Sequence, residues 1–297
     1  MSIYTEIQSN KLKSYLIIAS FIFLITGFFF VIGKFFNSPG TFFVIGLLVS
    51  VFSTIGSYFY SDKLVLMTVD AHPADKKEYF DFYTVTENLA IAGGVPMPRI
   101  YVINDPAPNA FATGRDPKHA VVVATTGLLQ RLDRAELEGV IAHELSHVKN
   151  YDILISSLVA VLVGTIALVA DWVMRTLWWG GSDEERDNRN PVWFVLLIVV
   201  LILTPIAATL IQLAVSRKRE LLADASGALL TRYPEGLARA LEKISADPHQ
   251  MRSATTSTAH LFISNPFKQN GKSNAWLVNL FSTHPPIEER VKILRSM

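Results

Sequence analysis

Apolar residues are clumped along this chain rather than spread through it. Ser14 to Gly33 carries no charged side chain, and a second uncharged stretch runs from Phe35 to Ser61 around Asn37-Ser38-Pro39-Gly40. A third apolar span covers Ile153 to Ala170, and a fourth covers Pro191 to Ser216. Each offers roughly the 17–25 apolar residues that a helix needs to cross about 30 Å of hydrocarbon. The pattern predicts two transmembrane hairpins, one closed by the Asn-Ser-Pro-Gly turn and the other by residues 172–190. The first span is too long for a signal peptide, lacks a small-residue cleavage site and meets a second span at once, so it reads as a retained helix.

The intervening polar segments carry ordinary soluble patterning. A helical pattern through Tyr79, Phe82, Tyr83, Val85 and Leu89 stops at Gly93-Gly94. Arg99 to Asn104, Asn109 to Gly114 and His119 to Thr125 are β-branched or alternating runs that read as strands. Asp133, with Glu136 three residues on, opens a capping-box helix that continues to Lys149. The division that follows is an N-terminal hairpin (1–61), a segment with a small sheet and one central helix (62–152), a second hairpin (153–216) and a mostly helical C-terminal segment (217–297).

Composition agrees with this picture and narrows it. Half of the chain (50%) is hydrophobic and only 18% is charged, against about a quarter in soluble domains, so an ordinary cytosolic or disordered protein is excluded. The formal charge of +1 gives no global basic excess and argues against nucleic acid as a partner. Near the span ends, Lys11, Lys13, Lys63, Lys149, Arg217, Lys218 and Arg219 fall on one side. Lys34, Arg175, Arg186 and Arg189 fall on the other, diluted by acidic residues. By the positive-inside rule both termini and both polar segments face the cytoplasm. Cysteine is absent, so a metal site has only histidines and carboxylates to draw on.

Such a set exists. His143-Glu144-Leu145-Ser146-His147 is H-E-x-x-H on the predicted central helix. Histidines four apart leave one helix face together and can hold one Zn2+, while Glu144 is placed as a general base. Glu220 is the candidate third metal ligand. His147 precedes the third span and Glu220 follows the fourth by similar distances, so an antiparallel hairpin returns both to one membrane face. Asp224 shares the helical face of Glu220 and could accept a hydrogen bond from a ligand histidine. The plainer reading is that Glu220 and Asp224 pair with Arg217 or Arg219 on a solvated helix. His284, beside Pro285-Pro286, is a surface or capping residue unless it reaches the site, where it and Arg290 could stabilise an oxyanion. His72, His119, His249 and His260 have no ligand-spaced partner and read as structural.

These residues in this order resemble the HtpX-type integral-membrane zinc metallopeptidases, relatives of the CAAX prenyl endopeptidases. The resemblance rests on His143 to His147, on Glu220-Leu-Leu-Ala-Asp224 after a hydrophobic hairpin, on Thr283-His-Pro-Pro286 with Arg290, and on Asn109-Ala110-Phe111-Ala112 before the metal helix. It implies a mainly α integral membrane protein, four transmembrane helices plus a cytoplasmic zincin-like α+β domain with an edge-exposed β-sheet. One Zn2+ per chain would be held by His143, His147 and Glu220, with Glu144 as base, Asp224 orienting a ligand, and His284 and Arg290 supporting the transition state. Asn109 to Ala112 would pair with substrate backbone as an added strand. Members act in membrane-protein quality control at the bacterial inner membrane, on membrane-protein or unfolded substrates and beside other quality-control proteases. A dedicated processing peptidase and a non-catalytic membrane protein with a structural metal are the competing readings; the latter has no use for Glu144.

Overall fold

The structure is a computed structural model that describes residues 3–35, 37–179, 217–267 and 285–297. The first hairpin is α1 (Ile3–Phe35) and α2 (Pro39–Thr68), with Pro39 at the start of α2, where a missing N–H costs nothing. Windows Gln8–Val31 and Pro39–Thr68 are long and apolar enough to cross a membrane, with mean hydropathy 2.3 and 2.0. α2 runs past the expected boundary at 61 and delivers the chain directly to β1 (Ala71–Pro73).

Beyond β1 come α3 (Phe80–Gly93), β2 (Arg99–Ile103), β3 (Ala110–Thr113), β4 (Val121–Thr125), α4 (Thr126–Arg131) and α5 (Arg134–Lys149). The three expected strands are all present. β1 and α4 are additional elements too short to leave a periodic signature. α3 ends where Gly94 takes a left-handed φ of 65°. The sheet order is β1-β2-β4-β3: β1 and β3 run antiparallel to their neighbours, while β2 and β4 are parallel. β4 is buried on both faces, Val122 and Ala124 packing in one apolar cluster with α3 and α5, and Val121 and Val123 in a second that includes Val65 and Leu66 of α2. That explains its continuous apolar sequence.

α5 begins with the expected capping box, the Asp133 side chain accepting from the Glu136 N–H and the Glu136 carboxylate from the Asp133 N–H, each at 2.9 Å. It crosses the interior, with Val140, Ile141 and Ala142 fully buried. α6 (Asp152–Trp179) follows after a sharp bend, 85° between Arg134–Lys149 and Asp152–Leu168, with Tyr151 at φ 61°. The third expected span is therefore a helix. Its first half is enclosed by protein, with Ile155, Val159, Leu162 and Ile166 packed on Ile17, Phe21 and Ile25 of α1. The fourth expected span, 191–216, lies outside the described residues. The C-terminal segment contributes α7 (Arg217–Thr231), α8 (Pro234–Ala246) and α9 (Ile287–Leu294).

Candidate metal centre

His143 and His147 lie on the buried face of α5, with Nε2 atoms 3.2 Å apart and rings nearly perpendicular, at 88°. Glu220, in the first turn of α7, approaches both: its carboxylate oxygens are 3.6 Å from each Nε2. One donor atom from each of the three thus falls within 4.8 Å of the others. Ligand atoms held about 2.0–2.2 Å from one tetrahedral centre lie roughly 3.3–3.6 Å apart, so the triangle fits a single ion.

The far side of each imidazole is held by a carboxylate. His143 Nδ1 is 2.9 Å from Asp224 Oδ1, and His147 Nδ1 is 3.0 Å from Asp152 Oδ2. Donation from both Nδ1 atoms leaves both Nε2 lone pairs turned toward the Glu220 carboxylate. Three acceptors facing one another in a buried site attract positive charge. Burial opposes charge on His143, yet Asp224 and Glu220 outweigh it and raise its pKa to about 9. His147 is raised as well, against its burial, by Glu220 and Asp152. The same surroundings would favour a dication over protons at neutral pH, which is the electrostatic setting of a metal centre.

Asp224 is in turn clamped from behind. The Arg290 guanidinium donates to both of its oxygens, Nε at 2.8 Å and Nη2 at 2.7 Å, and Nη1 donates to the Ile263 carbonyl at 3.2 Å. Arg290 is fully buried, and together with His143 it holds the Asp224 pKa near 2 despite the burial. Arg290 therefore sits behind His143, in contact with Asp224, rather than in the wall of the cavity where it would meet a substrate oxyanion. The reason is charge: a buried guanidinium needs a buried carboxylate, and Asp224 is the one at hand.

In front of the triangle, a small cavity of about 30 Å³ is lined by Glu144, Ala112, Asp152, Arg219, Ser156 and His260, among others. Glu144 is buried and lines the same cavity as both histidines. Two residues at the site carry no functional role in the sequence pattern. Asp152 follows His147 by five positions, which is no helical spacing, and it reaches back only because the chain turns at Tyr151. A lone carboxylate at the threshold of an apolar span was the available signal. His260, read above as structural, lines the cavity with its Nε2 3.0 Å from the Ser156 carbonyl, and no local pattern marks it.

The expected substrate strand divides by residue. Asn109 is buried and ties down the loop at Ser264, its amide nitrogen donating to that carbonyl at 2.9 Å. The Ala110 carbonyl accepts from the Ile263 N–H at 2.9 Å, so Ala110 faces the outer edge of β3. Phe111 is a core residue stacked edge-on to Phe262. Strand period two puts Ala112 on the same outer edge as Ala110, and Ala112 lines the cavity. His284 lies outside the described residues.

The sequence profile of peptidase family M48 matches residues 79–297. A protein of Caldanaerobacter subterraneus subsp. tengcongensis named Protease HtpX homolog is 46% identical over 299 residues, covering 98% of this chain and 97% of that one. A Protease HtpX homolog of Tropheryma whipplei is 45% identical over 294 residues, with 99% and 98% covered. Among solved structures, Ste24p of S. mikatae aligns with a TM-score of 0.49 at 18% identity, over 98% of this chain and 66% of that one. The profile match and the full-length identity, meeting at a His-His-Glu triangle with a buried glutamate beside it, establish that the chain belongs to peptidase family M48, among its HtpX proteases, and is a membrane metallopeptidase.

Proposed function

We propose that this enzyme is a zinc endopeptidase of the bacterial inner membrane that cuts damaged or misfolded membrane proteins on their cytoplasmic side. In this reading four helices cross the bilayer, the second hairpin completed by 191–216, and both termini lie in the cytoplasm with the active site. One observation carries the proposal: His143, His147 and Glu220 converge beside Glu144 in a cavity whose wall includes the outer edge of β3.

Bound at this site, Zn2+ would supply the Lewis acidity that polarises a scissile carbonyl. The choice of zinc follows from two neutral imidazoles and one carboxylate, a set that leaves a coordination position open. Glu144 then takes the proton from the attacking water and passes it to the leaving amine. Asp224 and Asp152 keep each imidazole turned toward the ion, and Arg290 holds Asp224 in place. The N–H and C=O of Ala112 take up substrate backbone as an added strand, which reads little of the side chains and suits varied unfolded substrates. His284 is assigned to the oxyanion by the resemblance in its Pro-Pro segment. The cavity of about 30 Å³ holds water but not a peptide, so substrate entry requires the loop around Leu261 and Ile263 to move away from β3.

The test is mass spectrometry of membrane-protein fragments from cells carrying the wild type or Glu144→Gln. Many substrates cut at dissimilar cytoplasmic sites, and only by the wild type, support the proposal. A single substrate cut at one site would identify a dedicated processing peptidase instead.

A further inference from the structure

Asn10 lies at the start of the first apolar helix, in an element that neither the H-E-x-x-H motif nor the family profile, which begins at residue 79, includes. It is 1% exposed. Its amide nitrogen donates to Asp152 Oδ1 at 2.7 Å and to the Asn150 carbonyl at 3.0 Å. Asp152 uses its other oxygen, Oδ2, to hold His147 Nδ1. The first transmembrane helix is thus connected to a metal-ligand histidine through one carboxylate.

The contact is built rather than incidental. The Ser14 hydroxyl donates to the Asn10 carbonyl at 2.9 Å, and the Lys11 ammonium lies 4.5 Å from the Tyr151 ring centre. This turn of α1 therefore docks on the left-handed bend that brings Asp152 back to His147. Burying an amide is unfavourable unless it is bonded. Here both amide protons are used on the α5–α6 junction, while Oδ1 has no partner among the described residues, so the donor side is what the site spends that cost on. The terminal torsion of an aspartate is broad and two-fold, so a bond to one carboxylate oxygen decides where the other points. Asn10 is neutral, so it fixes the direction of Asp152 and leaves its charge intact. Arg219, 3.4 Å from the same oxygen, adds charge from α7 with a longer contact.

We propose that Asn10 is a positioning residue for His147, acting through Asp152, so that the membrane anchor completes the metal site. This rests on the metal-site reading above. Removing a partner behind a ligand histidine typically lowers metal affinity 10–100-fold, and Asn10 stands one bond further back. In the full-length protein in detergent, Asn10→Leu and Asn10→Ala are expected to speed Zn2+ loss to a chromophoric chelator by about tenfold. Both should also move the visible absorption band of the Co2+-loaded protein. Asn10→Gln, which retains the donor, should stay within about twofold of the wild type. So should Thr26→Val, a change elsewhere on α1 that removes a buried contact to Ser50 of α2. Wild-type Zn2+ retention in both Asn10→Leu and Asn10→Ala would overturn the proposal, as would equal loss from Thr26→Val or from Asn10→Gln. A wild-type protein that binds no Zn2+ would instead overturn the metal-site reading.

Discussion

At the residue scale the site is two matching pairs, Asp224 with His143 and Asp152 with His147, each turning an Nε2 toward Glu220. The pairs differ in what stands behind them. Asp224→Asn would leave Arg290 buried without its counter-charge, which typically costs about 3–5 kcal/mol. We expect that variant to unfold at clearly lower denaturant and to bind metal 10–100-fold more weakly, on the usual scale for such partners. Asp152→Asn is expected to weaken metal binding comparably with a smaller stability loss, because Asn10 and Arg219 can still meet the new amide oxygen. Denaturant titration together with chelator competition separates the two effects. Glu220→Ala removes one corner of the His-His-Glu triangle and is expected to abolish stoichiometric metal in the purified protein, as read by metal analysis. Much of this was legible in the sequence. His143, Glu144 and His147 are fixed by helical period, and Glu220 by the similar offsets of two residues from one hairpin. Asp152, Asn10 and His260 were not legible, because each reaches the site through a bend or a tertiary contact that no local spacing encodes.

At the element scale, α5 is the axis on which the rest is assembled, and close backbone approach sets its neighbours. A Cβ on Gly139 would stand 2.6 Å from the Leu237 nitrogen of α8, and one on Gly227 of α7 would stand 3.0 Å from the His143 nitrogen. These contacts let α7 come near enough for Glu220 and Asp224 to meet the histidines. Gly139→Ala must therefore push α8 away, with an expected loss of about 1–3 kcal/mol. Asp133→Ala, which removes the helix cap and a half-exposed 3.8 Å ion pair with Arg239, is expected to cost about 1 kcal/mol with metal affinity unchanged. Thermal melting of the two variants, loaded with the same metal, checks both values. The capping box and the strands β2 to β4 followed from local pattern. The parallel pairing of β2 with β4 did not, since it depends on where α3 and β3 pack rather than on either strand.

At the scale of the whole molecule, apolar composition and catalytic geometry are one feature seen twice. The residues that make the chain too hydrophobic for a soluble protein build α1 and α6, and these two helices pack on each other where they carry Asn10 and Asp152. A metal that binds the folded chain and not the unfolded one stabilises it by mass action, about 2.7 kcal/mol at a hundredfold excess over Kd. EDTA is accordingly expected to lower the melting temperature of the wild type and to leave that of Glu220→Ala in place.

The most direct measurement is made on purified Glu144→Gln, with zinc content and cleavage of an unfolded membrane-protein substrate determined on the same sample. We expect one zinc per chain, as in the wild type, with cleavage abolished, because the His-His-Glu triangle remains and only the proton carrier is gone. Cleavage at the wild-type rate with zinc bound would contradict it.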